Sequence, residues 1–292
     1  MGAVYERELK GYLHGMTGII FISVNLLFSG LMLFLKNLTG QLWYFQDPQM
    51  ESMIYYQLMI LFLTIPILTM RSIAEDRRQK TDQLLYSLPL SLPKIVLAKY
   101  FALLTTAVLP TLVSLLYPLI LSLYGTVNFG TTYKALLTQA LFVALLCAIG
   151  MFISSLTESP AIAAILTLTV NAALFLMSFF TTAIPQTELA SLIGFAVIIV
   201  LVAFLAYYMT KSVIAAYAVG AVGIVAEIIL YFVKKDLFAG AINKVIDAMS
   251  VFSRVDLGTS GILDLSGIVY FVTAAALFVF LSVQAVEKRR WS

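Results

Sequence analysis

The chain carries uninterrupted apolar runs of 18 to 25 residues, and few folds can accommodate them. At 1.5 Å per residue, a helix of that length crosses about 30 Å of hydrocarbon. Inside lipid every backbone N–H and C=O must pair within the protein, which leaves helix bundles or closed barrels. Barrel strands would read as alternating segments of about ten residues; these runs do not alternate. Composition agrees: 61% of residues are hydrophobic and 11% charged, with a mean hydropathy of +0.99. Too few charges exist to cover that much apolar surface in water. The sequence therefore predicts an all-α fold, a polytopic transmembrane helix bundle of about eight spans, forming a single domain over residues 1–292.

The runs are Met16–Leu35, Met53–Met70, Tyr100–Tyr124, Ala135–Leu156, Ala161–Ile184, Leu189–Met209, Ser212–Val233 and Ile268–Val286. Only Thr210 and Lys211 separate the sixth from the seventh, so 189–233 reads either as two full spans or as a re-entrant hairpin. Orientation follows from the basic residues, which concentrate on the cytoplasmic side of membrane proteins. With the N-terminus inside, Arg7, Lys10, Arg71, Arg77, Arg78, Lys80, Lys94, Lys99, Lys211, Lys288, Arg289 and Arg290 lie inside. Lys36, Lys134, Lys234, Lys235, Lys244 and Arg254 lie outside. That twofold excess places both termini in the cytoplasm. The opening ten residues include Glu6 and Glu8 and lead into a long apolar run without a small-residue cleavage site, unlike a removable signal peptide.

Two segments between spans are long enough to act. Residues 234–267 form an extracytoplasmic loop in which Ile242, Val245, Ile246, Met249 and Phe252 recur at helical spacing, an amphipathic helix for the outer interface. Asn243, Lys244, Asp247 and Ser250 fall elsewhere on that wheel. Residues 71–99 form the inner segment. Over Ile73–Tyr86, Ile73, Ala74, Leu84 and Leu85 face one way and Glu75, Asp76, Arg77, Arg78 and Lys80 the other. Pro89 stops that helix, and Ser91, Leu92 and Pro93 start the next. One reading is a solvated basic loop; the other is a short docking helix for a cytoplasmic partner.

No catalytic constellation stands out. His14 lacks a metal-ligand partner of the H-E-x-x-H kind, Cys147 sits inside an apolar run, and no G-x-x-x-x-G-K-[ST] phosphate loop occurs. The chain is expected to be no enzyme and to bind no cofactor itself. Glu227 is the one acidic residue well inside a run, and intramembrane charge is costly enough to mark either a translocation path or a neutral, hydrogen-bonded acid. The rows Ala216–Gly220–Gly223 and Ala140–Ala144–Ala148 have the spacing that lets helices approach closely. Pro66, Pro110 and Pro118 are expected to kink their spans, and Asn25 and Asn171 add isolated polar groups.

Ala74-Glu75-Asp76-Arg77-Arg78, Thr81-Asp82, Leu84-Leu85, Ser87, Pro89 and Ser91, then Ile95-Val96-Leu97-Ala98-Lys99, resemble the coupling segment of ATP-binding-cassette type-2 permeases. The likeness is nearest to the gliding-motility-associated branch. Arg7-Glu8-Leu9-Lys10 with Tyr12 is similar to that family's elbow helix, here residues 1–15, and Val255–Gly258, Asp264-Leu265 and Glu287–Trp291 are similar to its end. Lys80, Gln83 and Ala98 depart from it, standing where the family commonly has glycine, glutamate and glycine. The resemblance implies the permease subunit of an ATP-driven exporter in a prokaryotic plasma membrane. It would pair with a second permease copy or paralogue and dock nucleotide-binding ATPase subunits, which would hold ATP and Mg. Glu75, Asp76, Arg77, Arg78, Thr81, Asp82, Leu84 and Leu85 would form the docking segment, with Glu227 a candidate for the path. An ion-coupled carrier and a non-transporting membrane scaffold are the alternatives; nucleic acid is not an expected partner.

Overall fold

A computed structural model describes residues 1–35, 50–81, 91–123, 127–210, 220, 221, 223–225, 227, 231, 238, 240–262 and 265–290. Among them every regular element is a helix: α1 (Gly2–His14), α2 (Met16–Leu33), α3 (Met50–Thr69), α4 (Ala74–Arg78), α5 (Leu92–Ser114), α6 (Tyr117–Leu121), α7 (Phe129–Leu156), α8 (Pro160–Ala183), α9 (Glu188–Thr210), α10 (Ala241–Met249), α11 (Val251–Thr259) and α12 (Leu265–Arg290). Among the described residues six helical stretches are long and apolar enough to cross a membrane, beginning at Met16, Met53, Leu92, Phe129, Pro160 and Leu265. They coincide with six of the eight expected runs. The sixth run begins within α9, whose Glu188–Val200 portion is a shorter apolar helix, and most of Ser212–Val233 lies outside the described residues.

The chain divides into two compact units, residues 1–172 with 254–292, and residues 173–253. In the first, α7 is the central post. Its most apolar stretch is 72% buried, against 22% for α2, and it packs on α3, α5 and α12. Along α3 the buried residues Ile54, Leu58, Leu61, Ile65 and Leu68 alternate four and three apart, the stripe by which a helix seats on its neighbours. The outward faces carry exposed Leu27, Ile165 and Leu265, which lipid would solvate.

Apolar side chains gain little from leaving lipid for each other, so close approach and interhelical hydrogen bonds must hold such helices together. Both occur. A Cβ on Gly150 of α7 would lie 2.2 Å from Thr69 Oγ1 of α3, and one on Gly258 of α11 would lie 2.4 Å from Thr138 Cγ2 of α7. Asn25 Nδ2 donates to Thr64 Oγ1 at 3.0 Å, joining α2 to α3. Gln57 Nε2 donates to Ser114 Oγ at 3.0 Å, and the Ser29 and Tyr117 hydroxyls meet at 3.0 Å. Pro66 lacks the N–H that would pair with the carbonyl of Phe62, four residues back. Asn171 Nδ2 takes that role, donating to Phe62 O at 3.4 Å. The carbonyl that Pro66 leaves free and the isolated asparagine are thus one feature.

Two expectations need correction. Pro118 interrupts its span instead of bending an unbroken helix: α5 ends at Ser114, whose carbonyl Pro118 has no N–H to meet, and Pro118 sits in the first turn of α6. Leu115 and Leu116 between them turn back onto Leu112 O and Val113 O. The amphipathic helix expected across Ile242–Phe252 is two helices, broken at Ser250. Ser250 leaves the helical backbone, and its Oγ accepts from Ser253 N at 3.3 Å, an N-cap that starts α11 afresh. Asn243, expected on the polar face, is buried and donates to Ile184 O at 2.9 Å, whereas Val245 is exposed.

Within residues 173–253, Phe175 and Phe252 meet edge to face at 4.9 Å. A Cβ on Gly223 would come 2.7 Å from Ile199 Cγ2, and one on Gly220 would touch Ala203 Cβ at 3.5 Å. Those two glycines therefore serve packing against α9.

Candidate functional site

Elements distant in sequence meet at one end of the first unit. The chain turns from α1 into α2 through Gly15 alone. A Cβ there would lie 2.3 Å from Gly11 O, and one on Gly18 would lie 2.1 Å from Tyr12 O, so this tight elbow excludes side chains. α1 then lies along α5, with the Tyr5 hydroxyl 3.0 Å from Thr105 Oγ1 and Tyr12 buried. Burial, reinforced by the carboxylates of Glu8 and Asp76, pushes the Tyr12 hydroxyl well above its usual range, and it stays neutral.

The centre of this end is Lys99, the eighth residue of α5 and 5% exposed. Its Nζ lies 2.9 Å from Glu8 Oε1 of α1 and 2.6 Å from Asp76 Oδ2 of α4. Arg7 also pairs with Glu8 at 2.7 Å. Burial pushes the Glu8 carboxyl up, but Lys99 and Arg7 together outweigh it and hold the group below the ordinary carboxylate range. Asp76 Oδ1 accepts from Thr81 Oγ1 at 3.3 Å.

α4 has five residues, too short to persist without tertiary support. That support comes from the last turn of α7. Ser154 Oγ accepts from Ile73 N at 3.2 Å and Ala74 N at 3.0 Å, and donates to Met70 O at 3.2 Å. A serine from another helix thus caps α4 as a preceding residue would in an ordinary N-cap. The buried Arg77 guanidinium donates to Ser155 O, where the end of α7 offers partly negative carbonyls. On the outer side Glu75 pairs with Arg78 at 2.8 Å and Arg71 at 3.7 Å. An open cleft of about 200 Å³, lined by Glu8, Tyr12, Arg71, Glu75 and Asp76, separates α1 from α4. At the same end Arg289 of α12 forms an ion pair with Glu158, just before α8.

The docking residues read from the sequence are therefore not one charged face. Arg77 is buried, Asp76 is turned toward Lys99, Glu75 and Thr81 are half-buried, and Arg78 and Lys80 are exposed. The helix expected through Tyr86 ends at Arg78, because Lys80 adopts a left-handed φ of +55°. Glycine takes that conformation without strain, and this is a position where the resembled permeases commonly carry it. Asp82, Leu84 and Leu85 lie outside the described residues. Glu227 is described and 6% exposed. His14 is exposed with its Nδ1 3.1 Å from Lys10 O, and Cys147 is fully buried.

Sequence reasoning placed Lys99 among the inner charges and at the end of the resembling segment, and Glu8 in the elbow motif, but did not pair them and did not single out Ser154. The available signal was position: Lys99 follows seven residues of a helix already under way, where an unpaired ammonium would be costly.

A bundle of long apolar helices with a cluster of ion pairs at one end is a multi-pass membrane protein. Residues 19–219, well over half of the 292, match the family described as ABC-2 family transporter protein. The chain belongs to that family and is a membrane permease of an ABC transporter, a class that works with ATPase subunits. Compared with curated proteins and with solved structures, it matches none.

Proposed function

We propose that this permease belongs to an ATP-driven exporter of the gliding-motility-associated type, acts as a permease dimer in a prokaryotic plasma membrane, and receives its ATPase at residues 71–99. ATP and Mg are held by the partner, and this chain itself catalyses no reaction. The observation that carries the reading is α4: a five-residue helix clamped to α7 and tied to Lys99, with Arg78 and Lys80 left outward. A lever of this kind biases a two-state bundle only if its contacts differ between the states. The basic excess at this end supports a cytoplasmic placement. A cysteine at Gln79, in a Cys147→Ser background, should be labelled from the cytoplasm only; labelling from outside in intact cells would overturn the orientation.

Docking is tested at the two leucines that follow the described part of the segment. Losing a buried apolar anchor costs about 2–5 kcal/mol, whereas an exposed charge contributes about 0–1 kcal/mol. Leu84→Ala with Leu85→Ala should therefore abolish copurification of the partner ATPase, or uncouple its hydrolysis, while Lys80→Ala remains near parental. An intact complex with parental ATP hydrolysis in reconstituted membranes would remove these leucines from the docking surface.

A further inference from the structure

We propose that Lys99 is a positioning residue that makes α1 and α4 one moving body, so that a push on α4 reaches α2 through α1. The proposal rests on the reading above, in which an ATPase moves α4. α4 has two attachments of different kinds. Ser154 and Arg77 hold it to α7, the most buried post of the bundle, while Asp76 holds it to Lys99. The same Nζ holds Glu8 of α1, so the two carboxylates share one buried cation from a third helix.

Beyond Glu8 the path has little slack. α1 runs seven residues from Glu8 to Gly15, where Gly15 and Gly18 bring the backbones of α1 and α2 so close that a Cβ would collide. A displacement of α1 has no flexible linker in which to dissipate. The receiving helix α2 is hydrogen-bonded to α3 through Asn25 and to α6 through Ser29, so its displacement passes into the bundle. Drive therefore enters the bundle by two routes, from α4 directly into α3 and α7 and across Lys99 into α1 and α2.

Glu8→Leu cuts the second route alone: leucine offers Lys99 no acceptor, while Lys99 keeps Asp76 and no buried charge is left without its opposite. Spin labels at His14→Cys on α1 and Arg78→Cys on α4, both exposed, report the tie in Cys147→Ser permease reconstituted in vesicles. The parental distance distribution should be narrow and the Glu8→Leu distribution at least twice as broad. Glu6→Leu, on the same helix in an exposed pair with Lys10, should leave it unchanged. A narrow Glu8→Leu distribution would overturn the tie, whether or not an ATPase binds.

The motion is then read in the complex with its ATPase, before and after trapping with ATP and vanadate, from His14 or Arg78 to a label at Lys288→Cys on α12. Both distances should change in the parent; in Glu8→Leu the Arg78 change should persist and the His14 change should fall by more than half. A full His14 change in Glu8→Leu overturns the second route. No change at either pair in the parent overturns the functional reading and the motion with it, and leaves the vesicle result to decide the tie.

Discussion

Lys99→Met should lower the thermal unfolding midpoint of the detergent-solubilised protein more than removal of any other single charge at this end. The methionine fills nearly the same volume, so the loss is electrostatic. Without the ammonium, Glu8 and Asp76 are left as two carboxylates converging on the space its Nζ occupied. Arg7 still reaches Glu8, and Thr81 still donates to Asp76, but neither replaces a cation shared at 2.9 and 2.6 Å. Breaking a buried pair by deleting one partner costs about 3–5 kcal/mol, because the remaining charge stays buried.

The same principle supplies the control. Lys99→Met combined with Glu8→Gln and Asp76→Asn removes every charge of the triad together and should recover most of the midpoint. Lys10→Met, which removes an exposed i,i+4 partner of Glu6, should leave the parental value. A single Lys99→Met protein that melts with the parent would mean that water reaches the site and that the triad holds nothing together.

Much of this architecture was legible because lipid imposes length. A span must be long, apolar and internally bonded, so α2, α3, α5, α7, α8 and α12 announce themselves as runs. The internal joints were less legible. Pro118 reads as a kink in any apolar run, and only the tertiary fold shows that α5 has already ended at Ser114. Ser250 is one residue in a helical pattern until its side chain caps the next helix. For the site, the segment at Ala74–Thr81 was found by its charges, but those charges were given a common outward face. Periodicity assigns faces on a straight helix, and this one ends after Arg78. Arg77 and Asp76 point inward because partners brought by other helices, the carbonyl of Ser155 and the ammonium of Lys99, wait there. Such partners lie from 23 to 78 positions away and leave no local trace.

Gly150→Val is the second large effect expected, and it probes how α4 is held. The Cβ alone would lie 2.2 Å from Thr69 Oγ1, 2.6 Å from Thr69 Cβ and 2.8 Å from Thr69 Cγ2, so no rotation of the threonine escapes it. The end of α3 must move off α7. Overpacking of this kind costs about 1–3 kcal/mol. Here the displacement continues: Ser154 lies one turn beyond Gly150 and bonds to Met70, Ile73 and Ala74, the residues that follow Thr69. Separating the two helices by even one ångström breaks those bonds, and loss of a cap adds about 1 kcal/mol. A five-residue helix deprived of its cap has no independent stability. Gly150→Val should therefore lower the unfolding midpoint and also raise the labelling rate of a cysteine at Ala74, buried at 0% exposure, several-fold in Cys147→Ser protein. Thr69→Gly, which removes every side-chain atom that the new Cβ meets, should restore part of both. Gly30→Ala in α2, where an added Cβ meets nothing within 4 Å, should change neither. If Gly150→Val lowers the midpoint while Ala74→Cys stays as protected as in the parent, α4 is held by Arg77 and Lys99 without Ser154, and the cap is not what fixes the lever to the bundle.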